Sequence, residues 1–260
     1  VAPEDPAALV QRLEALVDDA SLARRAGAAA RAAVRERWSV EEMVRRHERG
    51  DERALSQPLR AVFVIDDVGI GGAQRQLLEL ARHLPPERCE PTVIALSTRK
   101  QELAAAFQEA GVPLVLIPQS GKWSLSCLWR LYRALRRIRP DLAHTWLFTA
   151  DLYGRLAAWL AGVPVILSAV RSVDPGKPSH YVTIDRFLRR LTHGFTVNAD
   201  IIGDVLRQRE GVPSSKVHTV YNGVDLARFH PVTVNGAVRE RLGLRDPAGR
   251  VVGIIGRLSP

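Results

Sequence analysis

The pattern of hydrophobic and polar positions changes near residue 61. From there onward, short apolar runs rich in β-branched residues alternate with longer segments in which apolar residues recur every three or four positions. The short runs are typical of strands that are buried on both faces of a parallel sheet, and the longer segments are typical of covering helices. The alternation predicts βαβ units and a doubly wound parallel sheet of the α/β class.

The predicted elements can be placed from this pattern. Strands are predicted at residues 61–66, 91–97, 113–118, 141–145, 164–169, 194–198 and 217–221. Helices are predicted at residues 72–84, 100–111, 124–138, 149–162, 181–192 and 200–211. In a sheet of this kind, ligands bind at the edge formed by the carboxyl ends of the strands. Candidate functional residues are therefore sought in the loops that follow the strands.

The flanking regions have a different pattern. Residues 1–54 contain only helical periodicities, and a capping box is predicted in which Ser39 and Glu42 satisfy each other's backbone N–H groups. The polar stretch 50–60 is interpreted as a linker. We therefore predict three regions, which are a helical segment at 1–54, an α/β domain at 61–230, and an interdomain linker with the first strand of a further domain at 231–260.

A glycine-rich turn follows the first predicted strand. Gly71 and Gly72 open the next helix, where glycine lets the backbone approach a ligand and the helix start offers free N–H groups to an anion. A dinucleotide-binding turn, G-x-G-x-x-G, would need glycine where this chain has Gln74, and an acidic residue about 20 positions later that is absent. A dehydrogenase is therefore disfavoured. On this stretch alone, a tight corner without a ligand remains an equal alternative.

Four polar residues are predicted to follow strands at the same edge. His144 is predicted at the carboxyl end of strand 141–145, and Arg171 opens an irregular, proline-containing loop. Asn198 follows a later strand, and Asn222 precedes a glycine in a predicted turn with positive φ. A single histidine is more often a packed, hydrogen-bonded residue than a catalyst, but its predicted place at this edge favours function. Both asparagines have an equal structural interpretation, as caps or turns.

Composition narrows the classes of partner. The chain has 37 Lys and Arg against 28 Asp and Glu, a net charge of +9 that favours anionic partners such as nucleotides or phospholipid headgroups. Nucleic acid is disfavoured because no RNA-binding aromatic signature, zinc-finger spacing or basic block is present. Two cysteines without metal-ligand spacing indicate a reducing cytosol. The longest uncharged run is shorter than the ~20 residues that a membrane span needs.

The predicted helix 124–138 has two interpretations. Its apolar face contains Leu125, Leu128 and Leu135, and several arginines lie elsewhere on the helix. The favoured interpretation is a helix that covers the sheet and exposes a basic face to solvent. In the second interpretation, Trp123, Trp129 and the arginines contact an anionic membrane surface.

The ordered motifs from residue 61 onward resemble the N-terminal half of a family 4 glycosyltransferase, which has the GT-B fold of two Rossmann-like domains. The matching segments are Gly71–Gln74, Pro140–His144, Val197–Asp200, Tyr221–Asp225 with Arg228 and Phe229, and Gly253–Ser259. The first 50 residues resemble the same family's carboxyl end, whose final helices cross back onto the N-terminal domain. The body of the donor domain is missing from this arrangement. A window cut from tandem transferases and a rearranged gene product both explain that order.

The resemblance implies transfer of a sugar from a nucleotide-sugar donor to the hydroxyl of a glycan or lipid-linked acceptor, with retention and without a metal ion or cofactor. Gly71 and Gly72 are then expected against the donor diphosphate and sugar. His144 is expected to be catalytic through contact with that sugar, and Arg257 to bind diphosphate. Because the donor domain's body is missing, we expect the isolated chain to be inactive.

The acceptor side is less closely defined by the resemblance. Arg171, Asn198 and Asn222 are placed in the acceptor loops by position only. The family implies a cytoplasmic enzyme of polysaccharide biosynthesis that associates peripherally with the inner face of the membrane. The alternative is a non-catalytic, glycosyltransferase-like module that binds a glycan, a lipid or a partner transferase.

Overall fold

One parallel sheet organises the described part of the chain. In the computed structural model, the described residues are 19–37, 39–48, 57–119, 124–172, 179–229 and 240–243, together with Gln11 and Ala15. Within them, the strands are β1 (Leu59–Ile65), β2 (Cys89–Ala95), β3 (Leu114–Leu116), β4 (Leu142–Trp146), β5 (Val165–Val170), β6 (Gly194–Val197) and β7 (Val217–Thr219). Their order in the sheet is β3-β2-β1-β4-β5-β6-β7.

Helices connect the strands and precede them. They are α1 (Ala20–Arg37), α2 (Val40–Glu48), α3 (Gly72–His83), α4 (Ala104–Glu109), α5 (Leu125–Ile138), α6 (Phe148–Ala161), α7 (Ser179–Leu191) and α8 (Asp200–Gln208), with a 3₁₀ turn at Ser214–Lys216. Each strand and helix predicted between residues 61 and 221 has a counterpart. β1 begins two residues earlier than predicted, within the expected linker, and α4 is shorter than its predicted helix because Lys100–Leu103 form a turn instead.

The strand order reverses between β1 and β4. β1 pairs in parallel with β2 on one side and with β4 on the other, and Ile65 lies opposite Trp146 at the carboxyl ends. Connections from these two strands therefore leave in opposite directions and open a crevice at this edge. The doubly wound, Rossmann-like prediction is confirmed, and the crevice is where a ligand site is expected.

Both faces of the sheet are covered, as its apolar strands require. On one face, Phe63 and Ile65 pack in a buried cluster with residues of α2 and α3. On the other face, Val62 and Val64 pack with residues of α5 and α6. Successive side chains of a strand point to opposite faces, so the continuous apolar run of β1 serves both clusters.

The helix α2 docks onto the sheet domain by close backbone contact. Val40 and Met43 are buried, and a Cβ on Gly223 would lie 2.8 Å from the Cα of Val40. The Gln76 side chain of α3 both donates to the Gly223 carbonyl and accepts from its N–H, each at 2.8 Å. The predicted turn at Asn222-Gly223 is wrong, because Gly223 is not among the described glycines with positive φ. Glycine is required there for the close approach of α2.

The capping box that precedes α2 is formed only in part. Ser39 Oγ accepts from the backbone N–H of Glu42 at 3.2 Å, as predicted. The Glu42 carboxylate instead pairs with Arg45 and Arg46. Burial raises the pKa of Glu42, but the hydrogen bonds from both arginines lower it further, to a net value below the usual range. The Glu42 side chain thus forms ion pairs along α2 and does not accept from the backbone N–H of Ser39, as a full capping box would require.

The chain divides into two compact units. One comprises Arg37–Val224, which is the sheet with its helices and α2. The other comprises Val1–Glu36 and Asp225–Pro260. In that second unit, Asp19 caps α1 by accepting from Ser21 N at 2.7 Å. The predictions for the helix near 5–17, the loop at 173–178 and the strand at 250–256 lie outside the described residues.

Candidate functional site at the carboxyl edge of the sheet

The start of α3 is an open anion-binding position. Gly71 is its N-cap with extended backbone (φ −162°), and no side chain caps it. A Cβ on Gly72 would meet nothing within 4 Å. The first N–H groups of a helix have no partner within the helix, and they carry a partial positive charge. The described structure therefore leaves these N–H groups available to an anion at the crevice.

The turn before α3 is held by Asp67. Its Oδ1 atom accepts from Gly69 N and from Gln74 Nε2, both at 2.9 Å. A side chain on Gly69 would crowd Lys100, whose Cβ would lie 2.9 Å from the added carbon. The glycine turn is therefore fixed by a side chain that sequence reasoning did not consider for this role.

The start of α6 lies across the same crevice and is filled by the protein itself. Asp66 directly follows β1, and its carboxylate accepts from Ala150 N at 2.5 Å and Thr149 N at 3.4 Å. Burial raises the pKa of Asp66 to about 6, although the two backbone hydrogen bonds act in the opposite direction. Because Asp66 occupies this helix start, an external anion is expected at α3 rather than at α6.

Two of the predicted acceptor residues lie in direct contact. Arg171 follows β5, and its Nη2 donates to Asn222 Oδ1. The guanidinium carbon also lies 4.7 Å from the ring centroid of Trp146, at the end of β4. Burial lowers the pKa of Arg171 to about 10. Asn222 is adjacent to Gly223, which Gln76 of α3 holds, so this pair is connected to the helix that carries Gly71 and Gly72.

A cavity of about 410 Å³ extends from this edge between α6, α7 and α8. Asp66 and Arg171 lie on its wall near the crevice, and apolar residues such as Phe148, Phe195 and Leu206 form much of the remainder. The volume falls within the range of sites that bind small molecules. A cavity with apolar walls and a few charged groups suits a ligand that has both an apolar part and a polar or charged part.

An ion-pair cluster forms the far side of this cavity. Arg155 is 2% exposed, and its Nη2 contacts Asp151 Oδ2 and Asp185 Oδ1, each at 2.5 Å. Asp151 also accepts from the Thr145 hydroxyl at 2.5 Å. Burial raises the pKa of Asp151, and the positive charge of Arg155 opposes that rise. The cluster ties α6 to α7 and to β4.

His144 lies inside the sheet domain rather than at the edge. β4 ends at Trp146, one residue beyond its predicted end at 145, and His144 lies two residues before that end. Its side chain is 1% exposed, and Nε2 lies 3.0 Å from Thr196 Oγ1. The rings of Phe63 and Trp146 pack beside it, with centroids at 5.8 and 5.4 Å. In this arrangement its ring does not open onto the crevice, and its catalytic role stays a prediction.

The other predicted residues are only partly brought together. Asn198 follows β6, and its Oδ1 is buried with no hydrogen-bond partner among the described residues. Arg257 lies outside the described residues. The structure thus groups Gly71, Gly72, Arg171 and Asn222 around one edge of the sheet.

Three contributors were missed by the sequence interpretation, and signals existed for two of them. Asp66 directly follows β1, at the edge of the sheet where a ligand was expected. Arg155 is the only cation in α6, four residues after Asp151, and this spacing is typical of a paired charge. Trp146 had no signal, because its contact with Arg171 joins the ends of two strands, β4 and β5, that are separated in the chain by α6.

Metal and membrane features were also sought in the described residues. No group of three or more His, Cys, Asp or Glu side chains there is arranged to hold a metal ion. Among the helices that the structure describes, none is both long and apolar enough to cross a bilayer.

Comparison with known proteins identifies the class. Residues 70–228 match the sequence model of glycosyltransferase family 4, which covers more than half of the chain. The chain therefore belongs to glycosyltransferase family 4. It is also 27% identical over 203 residues to the UDP-Gal:α-D-GlcNAc-diphosphoundecaprenol α-1,3-galactosyltransferase of Escherichia coli, a match that covers 74% of this chain and 51% of the relative.

Solved structures share the fold at low identity. HepE of Anabaena in complex with UDP matches with a TM-score of 0.59 and 14% identity, over 71% of this chain and 50% of that protein. A glycosyltransferase of Rickettsia africae matches with a TM-score of 0.59 and 14% identity, over 74% and 51%. The chain thus spans about half the length of the relatives it matches. The half-GT-B architecture expected from the sequence is confirmed.

Proposed function

We propose that this chain provides the acceptor-binding half of a retaining, metal-independent glycosyltransferase that moves a sugar from a nucleotide-sugar donor to a glycan or lipid-linked acceptor. The observation that carries the proposal is the uncapped start of α3 at the strand-order reversal, whereas the start of α6 at the same reversal is already filled by Asp66. Only one of the two positions is left for an external anion. A nucleotide sugar brings such an anion in its diphosphate.

On the donor side, the proposal assigns the N–H groups at Gly71 and Gly72 to the diphosphate. In the reaction, the bond from the anomeric carbon to the diphosphate oxygen breaks, and a bond to the acceptor oxygen forms. The acceptor hydroxyl loses its proton, and the nucleoside diphosphate leaves as an anion. Fixed N–H groups stabilise the charge that develops on this leaving group. Arg257 is proposed to add a cation to the same group.

The names of the relatives support particular substrates. The Escherichia coli relative is named for a UDP-galactose donor and a diphosphoundecaprenol-linked acceptor, and the HepE structure contains UDP. We infer a UDP-sugar donor for this chain by similarity. The acceptor is proposed to contact the cavity beside Arg171 and Asn222, with Asn198 near its mouth.

The burial of His144 favours a second candidate, a non-catalytic module that binds an acceptor glycan, a lipid or a partner transferase. A catalytic group must touch the reacting atoms, whereas His144 is hydrogen-bonded to Thr196 within the domain. If the module is catalytic, rotation of this side chain or another residue at the crevice must supply the contact with the sugar.

A peripheral contact with the cytoplasmic face of an anionic membrane is part of the proposal. α5 contains no acidic residue, and Leu125 and Trp129 are 83% and 59% exposed. The predicted apolar face is wrong at Leu125, since the buried side is centred on Cys127, Leu131 and Leu135. An exposed indole beside arginines suits an anionic interface.

The first test of the proposed function is calorimetric titration of the chain with a panel of nucleotide sugars and free nucleotides. We expect one nucleotide class, UDP, to bind more tightly than the others. The second measurement is release of UDP when the chain is joined after Pro260 to the donor half of a family 4 enzyme, with a polyprenyl-diphosphate sugar as acceptor.

Two results separate the candidates. Turnover by the joined protein that falls strongly in His144→Ala supports the enzyme and the role of His144, whereas near-normal turnover in that variant removes the role. Failure of every nucleotide sugar to bind or react, with retained binding of a glycan or lipid, supports the non-catalytic module. The proposed membrane contact is tested separately. Arg130→Gln removes one positive charge from the exposed side of α5, and it is expected to weaken binding to anionic vesicles.

A further inference from the structure

The guanidinium of Arg171 is a partly buried charge without a carboxylate partner among the described residues. Its contacts there are the neutral side-chain oxygen of Asn222 and the ring of Trp146. Burial lowers the pKa of Arg171, and no acidic side chain of the described residues is recorded as opposing that shift. A charge that is removed from water without a counter-ion costs free energy, so such a position is retained only where something compensates for it.

Arg155 provides a comparison within the same cavity. Its guanidinium is more deeply buried, and it contacts two carboxylates, those of Asp151 and Asp185. The fold can therefore neutralise a buried arginine where that charge serves the structure alone. Arg171 is held between an amide and an aromatic ring, and no carboxylate of the described residues pairs with it.

We propose that Arg171 binds a phosphate group of the acceptor, so that the acceptor is a phosphorylated sugar rather than a neutral glycan. The guanidinium presents several N–H groups in a plane, which fits two phosphate oxygens at once. Asn222 uses one of these groups, and the Trp146 ring restricts the orientation of the plane. The remaining N–H groups are available to the cavity.

The location of Arg171 explains how the phosphate and the reacting hydroxyl are separated. Arg171 lines the cavity at the carboxyl end of β5, two strands away from β1 and the glycine turn that precedes α3. An acceptor anchored there by its phosphate places its sugar toward the crevice. The apolar part of the cavity wall, including Phe148 and Leu206, suits the non-polar face of a sugar or the first part of a lipid chain.

The inference deepens the proposed function, since it assumes that the cavity is the acceptor site. The test is a binding measurement that needs no donor and no turnover. The chain is titrated with α-D-glucose 1-phosphate, with methyl α-D-glucoside as the neutral counterpart, and binding is followed by calorimetry. We expect the phosphorylated sugar to bind at least about tenfold more tightly, as is typical of a charge-assisted contact.

Substitution assigns this preference to one residue. Arg171→Gln is expected to weaken binding of the sugar phosphate by about 10- to 100-fold and to leave the neutral glycoside unchanged. Arg99→Gln is the matched control, because Arg99 is an exposed arginine at the same edge of the sheet, after β2. This control makes the same change in charge and is expected to bind as the wild type does.

A second variant and a stability measurement keep the test decisive if the Gln variant folds poorly. Arg171→Lys retains the charge but loses the planar pair of donors, and we expect binding several-fold weaker than wild type. Inorganic phosphate should raise the melting temperature of the wild type and not that of Arg171→Gln, at matched ionic strength. Equal binding by wild type and both variants would overturn the proposal.

Asp174 lies outside the described residues and close to Arg171 in the chain, so Asp174→Asn tests for an internal counter-ion. We expect unchanged phosphate binding in this variant. Binding that becomes about tenfold tighter would mean that this carboxylate neutralises Arg171 in the free protein, and the proposal would fail.

The source of the phosphate is resolved by two arms of the same measurement. If the acceptor is soluble, α-D-glucose 1-phosphate alone shows the full dependence on Arg171. If it is a lipid, the dependence is stronger for phosphatidylcholine vesicles that carry a polyprenyl-diphosphate sugar than for the soluble compound. Both outcomes support the proposal, whereas failure of the proposed enzyme activity with retained, Arg171-dependent phosphate binding would leave this inference standing.

Discussion

Two helix starts face the same crevice and are treated in opposite ways. At α6, the carboxylate of Asp66 accepts from the first N–H groups, and the adjoining Asp151 is paired in turn with Thr145 and Arg155. At α3, the N-cap is Gly71 and no side chain caps the helix. The sheet positions both helix starts equally well, so the difference lies in the side chains.

The contrast separates stability from binding within one structural motif. A helix start that the protein fills contributes to the fold through hydrogen bonds and favourable interaction with the helix dipole. One that is left open gives up this contribution and keeps its N–H groups for a ligand. We therefore interpret the start of α6 as a structural part of the crevice, and the start of α3 as the part that binds an anionic ligand.

The largest expected effect comes from breaking the filled side. Arg155→Ala leaves Asp151 and Asp185 without their common partner, and we expect the free energy of unfolding to fall by about 3–5 kcal/mol. Urea denaturation measures this change. Arg207→Ala is the matched control, since Arg207 pairs with Asp204 on the surface of α8 and should cost less than about 1 kcal/mol. Similar losses in both variants would contradict the structural role given to the cluster.

A second test concerns the charge of Asp66. Burial raises the pKa of this carboxyl from 3.8 to about 6 in the folded chain. The stability that results is therefore fully present below the unfolded pKa and is lost as the pH rises through about 6. Relative to Asp66→Asn, we expect the wild type to lose about 2 kcal/mol of unfolding free energy between about pH 4 and about pH 7, since each unit of pKa shift is worth about 1.36 kcal/mol and the unfolded carboxyl is already partly ionised at pH 4.

The asparagine variant is a suitable reference, because its side-chain oxygen can still accept from Ala150 N. A difference between the two proteins that does not change with pH would show that Asp66 titrates normally. The Asp66 carboxyl at the start of α6 would then not be desolvated in the folded chain.

The smallest expected effect on stability sharpens the comparison by converting the open start into a filled one. Gly71→Asp places a carboxylate at the N-cap of α3, where the extended backbone accepts any residue but the added Cβ would clash with Gln74 Oε1, so that this flexible side chain must move. We expect nucleotide-sugar affinity to fall by about 100-fold, equivalent to about 2.7 kcal/mol, and the melting temperature to change little, because the loss of the Gln74 hydrogen bond to Asp67 offsets the new cap. Calorimetry and thermal denaturation measure the two changes.

Gly71→Asn separates charge from capping in this test. The amide caps the helix without a negative charge, so its effect on nucleotide-sugar binding should be several-fold smaller. Unchanged binding in Gly71→Asp would mean that the diphosphate does not use this helix start.

The sequence predicted the sheet because the information for it is local. Apolar runs such as the one at 61–65 have only one common environment, a strand covered on both faces, and the helices between them have strong periodicity. The open glycine turn at Gly71 and Gly72 was predictable for the same reason. Arg171 and Asn222 were placed at one edge by strand order alone, and they prove to be in contact.

The features that could not be predicted from the sequence depend on contacts between segments that are distant in the chain. His144 lies near the carboxyl end of β4 as predicted, but its ring packs in the interior against Phe63 and Thr196, which belong to other strands. Gly223 looked like a turn residue, but its small size serves the approach of α2, whose position no local pattern encodes. Burial of the Arg155 cluster is likewise a property of three elements together.

The contact between Met43 and Gly223 has a consequence for biosynthesis. The two residues are 180 positions apart, and α2 precedes the sheet in the chain. At the usual speed of translation, roughly 5–20 residues per second, α2 emerges from the ribosome some 10–40 s before its docking site. During that interval its buried side chains, Val40, Met43 and Val44, can pack only against the earlier part of their cluster, such as Phe63 and Leu77. The docking of α2 is therefore complete only after β7 and the segment that contains Gly223 have been synthesised.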